Sequence, residues 1–169
     1  AGRTDAGVHA RVHVCHADVP PQLLKKLGFE RLKLSLNSML PKDIRVLDVS
    51  NASKDFHAIK NARRKMYVYF IDTSAVQFPW ARNYSWHLRL PMDWAAIEKA
   101  TSYLVGTHDF RGFCSSGSSV KTTVRTVSKA EWGTCEFLSV SELRAFRIIG
   151  NGFLKQMVRN IVGTLVMVG

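Results

Sequence analysis

The chain has 169 residues, 46% hydrophobic and 22% charged, the balance of a globular protein with a packed core. That excludes a largely disordered, collagen-like or low-complexity chain, and no apolar run approaches the ~20 residues needed to span a bilayer. Lys and Arg number 24 against 13 Asp and Glu, a net charge of +11, and such a surplus favours a polyanionic partner, because neutralising phosphates releases condensed counterions.

Residues 11–19 alternate loosely and predict a strand. Pro20 and Pro21 end it and open a helix carrying Leu23, Leu24, Leu27, Leu34 and Leu36, with Gly28 as an expected interruption. Pro41-Lys42-Asp43 is a turn, and Ile44, Val46, Leu47 and Val49 predict a second short strand. The polar stretch Asn51 to Asp55 is a candidate linker.

The second half opens on the strand Met66 to Ile71, preceded by the basic run Arg63-Arg64-Lys65. Ser85 to Arg89 is a candidate strand. Pro91-Met92-Asp93 starts a helix that continues through Trp94, Ile97 and Leu104 to a stop at Gly106. Ser115 to Ser119 is a loop, and Arg125–Trp132 and Glu142–Ile149 predict two paired strands. Phe153, Met157, Ile161 and Leu165 recur every fourth residue after Gly150-Asn151-Gly152, an amphipathic helix. Strands and helices in both halves predict an α+β fold with antiparallel sheets. The first residue is not methionine and the last falls as a helix runs out, so a segment of a longer chain is the expectation.

Cys15, Cys114 and Cys135 are widely spaced and contain no C-x-x-C pair, which indicates neither a disulfide framework nor a four-cysteine zinc site. Free thiols fit a reducing, cytoplasmic compartment. His9, His13 and His16 with Cys15 invite a zinc reading, but on a strand His16 points away from the other two. No metal site is expected there.

In Gly2-Arg3-Thr4-Asp5-Ala6-Gly7 two glycines bracket Arg, Thr and Asp, so the backbone can turn sharply and present a carboxylate beside a guanidinium. By itself this is a turn, or a carboxylate serving as nucleophile, general base or metal ligand. Arg63, Arg64 and Lys65 followed by Tyr67 and Tyr69 interleave cations with aromatics, as a surface that grips phosphate and stacks a base does; strand aromatics packed in a core give the same pattern. Gly150-Asn151-Gly152 leading into a helix is a candidate anion site at the helix N-terminus. Arg159 lies near the edge of the apolar arc, on the surface or paired with a carboxylate such as Asp5.

Together these segments resemble the tRNA pseudouridine synthase A family, of bacterial type. Residues 2–10, Gly-Arg-Thr-Asp-Ala-Gly-Val-His-Ala, are similar to its catalytic loop. Arg64 to Tyr69 is similar to its basic-tyrosine strand, His108 to Phe113 to its middle motif, and Gly152 to Gly163 to its late helix. The resemblance implies isomerisation of uridine to pseudouridine in the anticodon arm of tRNA, at positions 38 to 40, without cofactor or metal. It implies Asp5 as catalytic nucleophile, with Arg3 holding the target nucleotide out of the stack. Tyr67 would lie against the uracil and Arg159 would pair with the aspartate.

Arg63, Arg64 and Lys65 are the expected RNA-binding cations. The expected fold is α+β with two ferredoxin-like, RRM-like halves (1–58 with the aspartate loop, 59–169 with the tyrosine strand and late helix). Antiparallel sheets flanked by helices would leave a basic cleft between the halves. The family's segments before the aspartate loop and after the late helix are absent from the sequence. A homodimer with no membrane association is implied. An RNA-binding segment without turnover and a metal-dependent hydrolase using Asp5 are the rival readings.

Overall fold

The computed structural model describes residues 7–117, 120–135 and 140–169. They fall into two compact units, one of residues 10–61 and one of residues 62–169 with residues 7–9.

The first unit is built on helix α1 (Pro21–Met39). A proline in its first turn forgoes no intrahelical bond, because the first N–H groups have no partner there. Gly28 breaks the helix as expected, at φ 67° and ψ 170°, a left-handed φ that glycine alone adopts freely. The expected strands at 11–19 and 44–49 are not formed. In 44–49 the Val46 backbone bonds to a side chain instead of to a neighbouring strand. Asn37 Nδ2 donates to the Val46 carbonyl at 2.9 Å, and the Val46 N–H donates back to Asn37 Oδ1 at 2.8 Å. In 11–19 a side chain is engaged: His16 Nδ1 accepts the Ala58 N–H at 3.4 Å. A strand needs a registered partner, and Val46 takes the Asn37 side chain in its place.

The second unit is a five-stranded sheet with helices on one face. Its strands are β1 (Lys65–Asp72), β2 (Ser85–His87), β3 (Gly106–Asp109), β4 (Val124–Cys135) and β5 (Val140–Gly150), in the order β2-β1-β5-β4-β3. Every pairing is antiparallel except β1 with β2, which is parallel. This corrects the expectation of a wholly antiparallel sheet. The return from β1 to β2 is a loop that Asp72 organises. Its buried carboxylate accepts the Ser74 N–H and hydroxyl and the Phe78 N–H, and these donors replace the water it has lost.

Helices α2 (Trp94–Ser102) and α3 (Met157–Val168) cover one face. Asp93 caps α2 by accepting the Ala96 N–H at 3.0 Å. From α3, Met157, Ile161, Val162 and Leu165 pack with Ile97 of α2 and with Ile71, Phe146 and Ile148 of the sheet. Trp132 joins this layer against Trp94 and Phe146, and its Nε1–H donates to the buried Thr101 hydroxyl at 2.9 Å. Phe153 lies outside α3, whose first residue is Met157. The opposite sheet face carries exposed Met66 and Val68 and a Lys129–Glu131–Arg147 cluster. Among the described residues no helix is long and apolar enough to cross a membrane.

Candidate nucleic-acid interface

Strand β1 fixes the aromatic pair by its register. Tyr67 stands opposite Ile148 and Tyr69 opposite Phe146, so both tyrosines point to the helix-covered face. Their environments differ along the strand. Tyr69 packs against the core, whereas Tyr67 lies closer to the strand's first residue and is 36% exposed. The Tyr67 ring meets Phe153 edge-on, with centroids 4.9 Å apart and planes at 77°, a geometry that aromatic quadrupoles favour. Tyr67 is thus a ring held firmly on one side and open on another.

Arg63 and Arg64 are exposed immediately before β1. Lys65 opens the strand opposite Gly150. Gly150 is required there, because a Cβ would stand 2.8 Å from the Thr126 carbonyl oxygen and 3.3 Å from the Phe153 ring. The Gly150-Asn151-Gly152 turn therefore ends β5 against β4. It does not open α3, which begins five residues later with Gln156 as its cap, and this corrects the expected anion site at a helix N-terminus. Asn151 ties the turn down instead. Its N–H donates to Thr126 O at 3.0 Å, and its Oδ1 accepts the Thr126 N–H at 3.1 Å.

Beside this turn is a polar pocket of about 420 Å³, lined by Lys65, Thr122, Val124, Arg125, Asn151, Gly152 and Phe153. Arg125 was not among the expected site residues, and Asn151 was expected only as part of an anion site at a helix N-terminus. They belong to separate strand ends, and no spacing in the sequence relates them to Lys65.

Two motifs remote in sequence meet near α3. Asn160 Nδ2 donates to the Phe113 carbonyl at 3.0 Å, and Ser115 N–H donates to the Lys155 carbonyl at 3.1 Å. The stretch His108 to Phe113 is thereby fastened to the late helix. Within it, Phe110 is buried in the core and Asp109 bonds the Arg111 N–H and the Thr123 hydroxyl. The Thr123 hydroxyl holds the Asp109 carboxyl below its ordinary range, opposed by some desolvation and aided by the Arg111 N–H and guanidinium. Arg159 is exposed on α3 and makes no salt bridge to a described residue.

Arg3 and Asp5 lie outside the described residues. The first described residue, Gly7, has a left-handed φ of 74°. His9 follows, with Nε2 3.3 Å from the Asn83 carbonyl oxygen and its ring 4.5 Å from Tyr84. His16 accepts from Ala58 and lies 4.7 Å from the His57 ring. Among the described residues no three His, Cys, Asp or Glu side chains are grouped to hold a metal.

An exposed basic run leading into a strand with a half-open tyrosine is suited to gripping phosphate and stacking a base. Residues 100–169 match the family model described as tRNA pseudouridine synthase. Over its whole length the chain is 45% identical to the tRNA pseudouridine synthase A of Moorella thermoacetica and 41% identical to that of Streptococcus mutans, and covers 65% of each. It is 43% identical to that of Halalkalibacterium halodurans, covering 61% of it. By sequence the chain is similar over its whole length to these tRNA pseudouridine synthases A, and it spans just under two thirds of the curated relatives it matches.

Proposed function

We propose that this chain carries the substrate-facing residues of an isomerase that converts uridine to pseudouridine in the anticodon arm of tRNA, at positions 38 to 40. The observation that carries the reading is strand β1, where the Tyr67 ring is braced by Phe153 and left partly open, with Arg63 and Arg64 exposed just before it. The names of the relatives supply the substrate and the reaction.

The chemistry demands such a platform. The N1–C1′ bond of uridine must break, the uracil must turn while still held, and C5 must bond to C1′ with loss of its hydrogen as a proton. N1 takes up a proton as C5 gives one up, so atoms balance with no redox step and no second substrate. Asp5 is the nucleophile of this proposal, adding either to the uracil ring or to the ribose carbon. Arg159 pairs with it and keeps it ionised, and Arg3 holds the nucleotide in its extruded position. Extrusion costs a few kcal/mol, and stacking on Tyr67 offsets part of that.

Arg63, Arg64 and Lys65 draw in the phosphate backbone. The division into halves 1–58 and 59–169 with a basic cleft between them, the homodimer and the cytoplasmic location belong to the same proposal.

Mapping of pseudouridine by carbodiimide adducts and primer extension, on unmodified tRNA incubated with the chain, tests the substrate. Stops at positions 38 to 40 are expected. Stops confined to another arm would overturn the assignment of the target.

A further inference from the structure

We propose that the pocket formed by Lys65, Arg125 and Asn151 binds one backbone phosphate of the RNA, beside the nucleotide whose base lies on Tyr67. The proposal rests on the reading of Tyr67 as the base platform. Three stretches distant in sequence supply the pocket: the start of β1, the start of β4 and the turn after β5. Its lining holds two cations and no carboxylate. A site of that composition takes an anion, because nothing in it repels negative charge.

The polar groups are already oriented. Arg125 Nη1 donates to the carbonyls of Thr122 at 2.9 Å and Val124 at 2.7 Å, which folds the guanidinium back along its own strand. It makes no salt bridge to a described residue. Asn151 uses its Oδ1 to accept from Thr126, so its amide NH₂ is the end left to donate to a ligand. Gly152 lies beside the arginine, its Cβ position an ordinary 3.7 Å contact from Arg125 Nε.

Position relative to the base platform identifies the anion. Phe153 lines the pocket and also makes the 4.9 Å edge contact with Tyr67. One aromatic ring therefore separates the pocket from the ring that would stack a base. That is the scale of a nucleotide and its own or adjacent phosphate. Two functions thereby share one support, with Phe153 bracing Tyr67 on one side and walling the phosphate pocket on the other.

The test is tRNA binding by the full chain as a function of KCl, for wild type, Arg125→Gln, Lys65→Gln, Arg125→Lys and, as a control on the other sheet face, Lys129→Gln. Each Gln substitution in the pocket is expected to lower the slope of log Kd against log salt by about 0.7 and to weaken binding roughly fivefold at low salt. Arg125→Lys should keep the slope, and Lys129→Gln should match wild type. A neutral methylphosphonate placed at the phosphate beside the target uridine should weaken wild type and add nothing to Arg125→Gln.

Unchanged slopes in both Gln variants, with folding verified by thermal melts, would overturn the site. So would inorganic phosphate raising the melting temperature of wild type but not of Arg125→Gln while the tRNA slopes stay equal, since the pocket would then serve free phosphate. Altered slopes without any pseudouridine formed would sustain the pocket and remove the isomerase reading. Product with unaltered slopes would do the reverse.

Discussion

Tyr67 carries the recognition claim at the scale of single residues. Its ring is braced edge-on by Phe153, so the stacking surface does not depend on the hydroxyl. Tyr67→Phe is expected to hold tRNA affinity within about threefold, and Tyr67→Ala to lose about 1–3 kcal/mol of it, the usual worth of one base stacked on an aromatic ring. Filter binding at fixed salt measures both, and equal losses in the two variants would make the hydroxyl the essential group.

Asp109 belongs to the same scale but bears on stability. Its carboxyl is held low chiefly by the Thr123 hydroxyl. A depressed carboxylate pKa gives stability that is present above the unfolded value near 3.9 and is lost as pH falls through the folded value. The advantage of wild type over Asp109→Asn in melting temperature should therefore be constant from pH 7 to about 5 and shrink below about pH 4. A gap that widened on acidification would contradict this. The residue is fully exposed, so the effect should be small and reduced by salt.

Elements explain why α1, α2, α3, β1, β2, β4 and β5 were legible in the sequence and the expected strands of the first unit were not formed. Met66 to Ile71 is β-branched and aromatic, and the fourfold spacing of Met157, Ile161 and Leu165 matches a helix face that is buried. Those patterns succeed because tertiary packing rewards the same residues that local preference selects. Residues 11–19 and 44–49 have the alternation of strands, yet neither forms one, and Asn37 takes up the Val46 backbone groups.

Gly150-Asn151-Gly152 shows another limit. Glycine in a sequence announces close approach or a turn, but not which. Here it permits β5 to end against Thr126 and Phe153. Gly150→Ala is accordingly expected to destabilise by about 1–3 kcal/mol, the usual cost of overpacking. Gly152→Ala, whose new methyl meets only an ordinary 3.7 Å contact, should be nearly neutral. Urea unfolding of the two variants compares them, and equal midpoints would refute the packing argument.

At the level of the whole molecule, the charge of +11 gives the general attraction and the sheet end gives the local geometry. A long-range field concentrates a polyanion near the protein but does not choose a nucleotide. In the proposed complex, placing the nucleotide falls to groups such as Tyr67, Arg125 and Asn151, whose positions depend on three chain segments closing together. The cations of Arg63-Arg64-Lys65 were legible because they are contiguous, and the pocket was not because its members meet only in the fold.

The central claim is that the chain's reaction makes a carbon–carbon bond at uridine C5 through Asp5. Tritium release from tRNA labelled at that carbon measures it most directly, since the hydrogen leaves only when the new bond is completed. Release by the wild-type chain and none by Asp5→Asn, with tRNA binding retained, is the predicted result. Release by Asp5→Asn at the wild-type rate would contradict the role of Asp5, and no release by wild type would contradict the reaction itself.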